Sequence, residues 1–221
     1  MPKIGNIIDL LRHEYGVPEV KSRRNGVESL MRVILSQNTN DRNSERAYKN
    51  LIERFDSPAE ILDAERDELA DVISVSGLHN IKSERIKKCL SRIKEERGKL
   101  SLDFLGEMSL EEARKWLLDL PGIGPKSAAV VLNFQFEKAA FPVDTHVFRV
   151  SKRLGLIPEE STREKAHSLM EELVPDERMY EVHINLIKHG RRICKAPTPV
   201  CSNCFLTKVC DYFQENRGPR K

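Results

Sequence analysis

Lys126 closes the run LPGIGPK (residues 120–126) and Asp144 lies inside PVDTHVFRV (142–150); their types and settings suit both residues to chemistry. The pattern predicts a helix running to Leu120 (EEARKWLLDL), halted by Pro121, which cannot continue it. A second helix, KSAAVVLNF, is expected from Lys126 onward. Between them Gly122 and Gly124 can take φ > 0 and admit another backbone closely, and Ile123 can drop its side chain into the joint of the two helices. The amides of such a turn, backed by a helix N-terminus, form an anion site without base specificity, suited to one phosphate of a nucleic acid backbone. An ammonium at Lys126 faces the positive end of the helix dipole, which favours loss of its proton and frees an amine nucleophile. Asp144 precedes THVFRVSKRL and is an N-cap, worth about 1 kcal/mol. The same position aims a carboxylate that could take a proton or stabilise developing positive charge. On the same helix Arg149 is a candidate phosphate contact, and His146 reads as structural or phosphate-adjacent. The plain alternatives are a solvated lysine on an ordinary helical hairpin and an aspartate that only caps.

Cys194, Cys201, Cys204 and Cys210 are spaced C-x6-C-x2-C-x5-C, which means a metal site or a disulfide knot. The first residues carry no signal-peptide pattern and no apolar run is long enough to cross a membrane. An intracellular (cytoplasmic or nucleoid), reducing setting is therefore expected, and metal is favoured over disulfides. A four-cysteine zinc site usually joins two C-x2-C knuckles across a longer spacer, whereas this chain has one knuckle flanked by gaps of six and five residues. All-cysteine ligation of a [4Fe-4S] cluster accepts compact loops of this kind. Spacing favours the cluster and leaves zinc open. Cys89, in IKSERIKKCLSRI, is the odd thiol and reads as a small buried hydrophobe.

The elements that must position these residues are helical. GVESLMRVILSQ, SERAYKNLIERF, ERIKKCLSRIKEE, SLEEARKWLLDL, THVFRVSKRLGL, REKAHSLMEELV and MYEVHINLIKHGRR each place apolar residues three and four apart. No stretch alternates long enough to argue for a sheet. Ser109 with Glu112 forms a capping box, and Ser161 or Thr162 caps another helix. With 221 residues, 39% of them hydrophobic, the chain can bury a sizeable core or fold as two small lobes. The net charge of +3 says little, but residues 186–221 carry +6 and residues 1–185 carry −3. The positive field gathers around the cysteines, where phosphate contact would use it, and Arg191 is a candidate contact; a solvated basic tail is the alternative.

The hairpin with Lys126, the helix start at Asp144 and the C-x6-C-x2-C-x5-C tail, in that order, resemble the endonuclease III family of helix-hairpin-helix DNA glycosylases. The likeness runs from about residue 27 to Cys210. It implies an all-α fold of two helical lobes with a DNA-binding cleft between them. A six-helix lobe would span residues 28–137, and residues 1–27 plus 138–221 would form the lobe carrying a C-terminal [4Fe-4S] loop ligated by Cys194, Cys201, Cys204 and Cys210. Lys126 and Asp144 would then face each other as the catalytic pair. Where the family usually has Gln to fill the gap left by an extruded nucleotide, this chain has Asn38 in ILSQNTND, so either Asn38 or the neighbouring Gln37 does this work. Leu78, in GLHN, matches a wedge residue that enters the base stack; otherwise it is an exposed apolar residue of a turn. The stretch through GKLSLDFLGEMSL looks longer than in the best-known bacterial members. The implied activity is a bifunctional glycosylase and abasic-site lyase of base excision repair. It would remove damaged, chiefly oxidised, pyrimidines through a lysine Schiff base and β-elimination. Its partner would be double-stranded DNA with a damaged base or abasic site, bound by a monomer away from membranes. Two alternatives stand beside it: a mismatch-specific glycosylase for thymine, uracil or adenine, whose relatives typically lack the lysine, and a non-catalytic DNA-binding iron–sulfur module.

Overall fold

The computed structural model describes residues 2–19 and 25–216; Arg217, Arg220 and Lys221 of the basic C-terminal run lie outside the described residues. The described residues contain helices and no strand, as the apolar spacing led us to expect. Two compact units emerge, one of Ser22–Lys138 and one of Met1–Lys21 with Ala139–Lys221.

The Ser22–Lys138 unit carries α2 (Gly26–Ser36), α3 (Asp41–Arg54), α4 (Pro58–Asp63), α5 (Arg66–Val72), α6 (His79–Arg97), α7 (Phe104–Glu107), α8 (Leu110–Leu118) and α9 (Pro125–Phe136), with a 3-10 turn at Ser74–Ser76. Local chemistry sets the ends. The Asn25, Asn40 and Ser57 side chains each accept a first-turn amide, and Ser109 with Glu112 forms the reciprocal capping box. Gly98 ends α6 in the left-handed conformation. Leu30, Ile34, Leu51, Leu69, Ile86, Leu90, Leu117 and Leu132 are almost wholly buried, each contributing about 1.5–3 kcal/mol of transfer free energy. Residues 98–110 are part of this core, since Leu102 and Leu105 are fully buried.

The other unit joins α1 (Pro2–Tyr15) to α10 (Thr145–Arg153), α11 (Arg163–Leu173), α12 (Met179–Arg192) and α13 (Asp211–Glu215). Thr162 caps α11, accepting from the Lys165 amide. α1 lays Ile4, Ile7, Ile8 and Leu11, an i, i+3, i+4, i+7 stripe, into a core shared with Val147, Val150, Met170, Val182 and Leu186. α10 and α12 pack closely enough that a Cβ on Gly190 would stand 3.0 Å from the Cβ of His146. Arg12 binds Glu181 through two hydrogen bonds, of 2.9 and 2.7 Å. Among the described residues no helix is long and apolar enough to cross a membrane.

Candidate active site

The turn between α8 and α9 has the expected shape with two refinements. α8 ends at Leu118, and α9 starts at Pro125, whose missing N–H costs nothing in a first turn. Gly122 takes φ +80°, while Gly124 is the N-cap of α9 at φ −100° and needs no glycine-only conformation. Gly124 brings no side chain to cap α9, the kind of helix start that an anion can complete. Ile123 is 5% exposed, buried in the helix joint as anticipated. Lys126, half-buried, is the second residue of α9.

Gln37 and Asn38 part company in the structure. The Gln37 Nε2 donates to the Gly122 carbonyl at 2.8 Å, and its Oε1 accepts from Arg85 Nη1 at 2.8 Å. Asn38 is exposed and holds φ +51°. Leu78 also has positive φ, +49°, and stands 50% exposed at the start of α6. Non-glycine residues in this region are uncommon, and where they persist they mark turns under constraint.

Asp144, in the other unit, is the N-cap of α10, its Oδ1 accepting from the Val147 amide at 2.7 Å. Arg149 spends its donors inside the unit, on the carbonyls of Cys194 (3.0 Å) and Gly190 (2.9 Å) and on His146 Nδ1 (3.2 Å). Arg191 is exposed in the last turn of α12.

The four cysteines come together. Cys194 follows the end of α12, Cys201 opens a 3-10 turn that Cys204 ends, and Cys210 precedes α13. All are free thiols and all line one small cavity, with His189, Leu154 and Arg153 beside them. Burial pushes the Cys204 thiol up to about 11; the Leu206 amide opposes this, and Cys210, Cys194 and Cys201 reinforce it. Arg153 binds the segment's backbone at Lys195 O (2.8 Å) and Pro197 O (3.0 Å), with Nη1 3.4 Å from the Cys194 sulfur. His189 places Nε2 3.7 Å from the Cys204 sulfur, and its Nδ1 meets the Tyr15 hydroxyl at 3.1 Å. Among the described residues, no three His, Cys, Asp or Glu side chains are grouped to hold a single metal ion.

Sequence reasoning missed Arg85, Arg153, His189 and Tyr15. Their partners are backbone carbonyls, a glutamine amide, sulfur atoms and, for Tyr15 and His189, each other, all brought near by the fold, which no local pattern announces.

Residues 31–176 match the family described as HhH-GPD superfamily base excision DNA repair protein. Endonuclease III of Thermotoga maritima is 38% identical over 84% of this chain and 82% of its own. A protein of Arabidopsis thaliana named as a DNA glycosylase is 36% identical over 80% of this chain, which spans 58% of that relative's length. A solved endonuclease III trapped as a covalent intermediate with DNA superposes with a TM-score of 0.81 at 28% identity, over 98% of both chains. On these matches the chain belongs to the HhH-GPD superfamily and, within it, to the endonuclease III family.

Proposed function

We propose that this chain is a bifunctional base excision enzyme that removes oxidised pyrimidines from double-stranded DNA and then cuts the strand at the abasic site. The observation that carries this reading is Lys126 in the first turn of α9, directly behind the glycine turn of the hairpin. The turn would hold a phosphate, and phosphate contacts supply affinity without sequence preference. A stacked nucleotide hides C1′, so it must be turned out at a cost of a few kcal/mol, least for a damaged base. Asn38 fills the gap that is left, since both ends of the Gln37 amide are committed within the protein. Leu78, exposed at a turn, is the apolar wedge between the neighbouring bases.

As the N-glycosidic bond breaks, positive charge grows on the sugar and the Asp144 carboxylate stabilises it. The neutral amine of Lys126 bonds to C1′, and the base departs with the bonding electrons and a proton. The sugar ring then opens, the C1′–O4′ bond breaking and O4′ taking a proton, and the imine formed between Lys126 and C1′ acts as an electron sink. Loss of a C2′ proton then expels the 3′ phosphate, and hydrolysis of the imine returns the lysine. A mismatch glycosylase would lack this lysine, and a silent binding module would have no use for Lys126 with Asp144.

The cysteine segment fits a [4Fe-4S] cluster. Four free thiols line one cavity, the number and residue type that all-cysteine ligation of such a cluster uses. Cys194, Cys201, Cys204 and Cys210 would hold the cluster, which would supply a rigid cross-link, with the surrounding Lys and Arg meeting the DNA backbone. The enzyme acts as a monomer inside the cell.

The test is a panel of duplexes with oxidised-pyrimidine, mismatched or abasic sites, treated with borohydride during turnover. Base release with covalent trapping on the oxidised pyrimidine is expected. Release without trapping would assign the chain to the mismatch enzymes, and binding without either would leave a DNA-binding module.

A further inference from the structure

Lys82 is a lysine where the sequence leads one to expect solvent. It is 1% exposed, and its Nζ donates to the carbonyls of Leu35 and Ser76 at 2.8 Å each. Neither partner is a carboxylate, so the site holds a charge that burial disfavours. Burial pushes its ammonium down to about 8, and the nearby Arg85 adds to the effect. Stability alone does not account for this, because an apolar chain of similar volume often serves a buried position as well.

Each of the two carbonyls stands just ahead of a constrained turn. Leu35 lies three residues before Asn38, and Ser76 lies two before Leu78. Among the described residues only Asn38, Leu78 and Glu137 are non-glycines with positive φ, and Glu137 simply ends α9. Such conformations cost roughly 1–3 kcal/mol each and persist where the surroundings fix them. Lys82 therefore ties together the roots of both turns. One helical turn further on, Arg85 holds Gln37, and Gln37 holds the Gly122 carbonyl. The same face of α6 continues with Cys89, whose Sγ is 3.7 Å from Pro121 O, and Arg92, whose Nη1 donates to Asp119 O at 2.6 Å. Positions 82, 85, 89 and 92 thus form one stripe at helical spacing, directed at three separate turns.

We propose that Lys82 and Arg85 are positioning residues, and that α6 is a brace setting Asn38, Leu78 and the Gly122 turn in register before DNA arrives. The proposal rests on the reading of Asn38 and Leu78 as the residues that open the stack. A preformed tool spares the ordering cost at the moment of binding, and a shift of an ångström in such a tool is felt in the rate.

The test uses the full-length protein and Lys82→Met, with Arg85→Leu as a second variant from a half-buried position. Amide hydrogen exchange in free protein should accelerate about tenfold or more at residues 36–39 and 76–79 in Lys82→Met, with α8 and α9 unchanged. Single-turnover base release from a lesion duplex should fall roughly 30-fold, while duplex affinity and cleavage of abasic single-stranded DNA, where no stack is opened, stay within about threefold. Arg85→Leu should likewise slow base release far more than cleavage of abasic single-stranded DNA, with faster exchange confined to residues 36–39 and 121–123, and it carries the test if Lys82→Met does not fold. Wild-type exchange at these turns, or an equal loss on both substrates, would overturn the brace. Failure of the functional reading looks different: wild-type protein would neither release base nor be trapped, and hydrogen exchange would still decide the brace.

Discussion

The hairpin turn at 119–126 and the cysteine segment at 194–210 are both short irregular stretches at helix ends, and they are held by opposite means. The hairpin is fixed from behind by its own unit: Arg92, Cys89 and Gln37 meet the carbonyls of Asp119, Pro121 and Gly122, and Ile123 anchors the turn in the core. The cysteine segment has two three-residue 3-10 turns and is held at its edges by Arg149 and Arg153, with the thiols turned to a shared cavity. A turn whose carbonyls are met in this way is rigid before any ligand comes. A loop whose most reactive groups face one another is completed by what they bind. On the proposed reading, the first suits the part that places the nucleophile and the second a part that need only be stiff.

The largest effect should separate shape from chemistry within the hairpin. Lys126→Gln is expected to lower strand cleavage and borohydride trapping to background, more than about a thousandfold, while duplex affinity stays within about tenfold. Wild-type cleavage by that variant would move the nucleophile elsewhere. Next comes Asp144, which belongs to neither stretch. Asp144→Asn keeps an acceptor for the Val147 amide, so melting should shift by only a few degrees. Base excision should fall about a hundredfold, because the carboxylate charge is gone; comparable loss of stability and activity would reduce Asp144 to a cap.

Cys201→Ser tests the other side of the contrast. Purified wild-type protein should be brown and contain iron; the variant should lose both, and amides of 194–210 should exchange about tenfold faster or more. Exchange at 119–126 should not change, and stoichiometric zinc without iron in anaerobically prepared protein would return the site to a single metal. Gly122→Ala should act on the hairpin and, through Arg85, on the turn at Gln37. The left-handed φ costs an alanine about 1–2 kcal/mol, and the added Cβ would displace the Arg85 side chain, so duplex affinity should drop between about five- and tenfold.

The smallest effect concerns Lys82 and alkaline pH. Its folded value of about 8 lies below the ordinary 10.5, so between these values the unfolded chain binds more protons and stability rises with pH. Below about 8 the burial cost is present in full. The melting difference between wild type and Lys82→Met should move a few degrees in favour of wild type from pH 7.5 to 10. Parallel curves would mean that the ammonium is well solvated.

Much of this was legible in the chain. The seven apolar-periodic stretches are helices, because burial of one face dominates their packing. The Ser109–Glu112 box and the Pro121 stop declared themselves, since caps and prolines act locally. α1 carried its signal too, in Ile4, Ile7, Ile8 and Leu11, a stripe not counted among those seven. α4 and α7 are too short for a period to show. For the site, residue type and spacing singled out Lys126, Asp144 and the four cysteines. They could not separate Gln37 from Asn38, because the difference lies in a hydrogen bond to a carbonyl 85 positions away. Arg149 looked like a free phosphate contact because the carbonyls it meets, 41 and 45 positions on, leave no trace in its own helix. Lys82 was invisible for the same reason: a lysine within IKSERIKK reads as solvated until the fold places two carbonyls on it.

The way α1 is built into its unit has a consequence for the order of events during synthesis. Arg12 and Tyr15 find their partners 169 and 174 residues later, at Glu181 and His189. At a translation rate of roughly 5–20 residues per second, α1 waits on the order of ten to thirty seconds with its isoleucine face unmatched. All of Ser22–Lys138 emerges in that interval and can complete its own core. The nascent chain therefore finishes the unit bearing Lys126 first, and closes the unit bearing the cysteines only when its two distant ends meet.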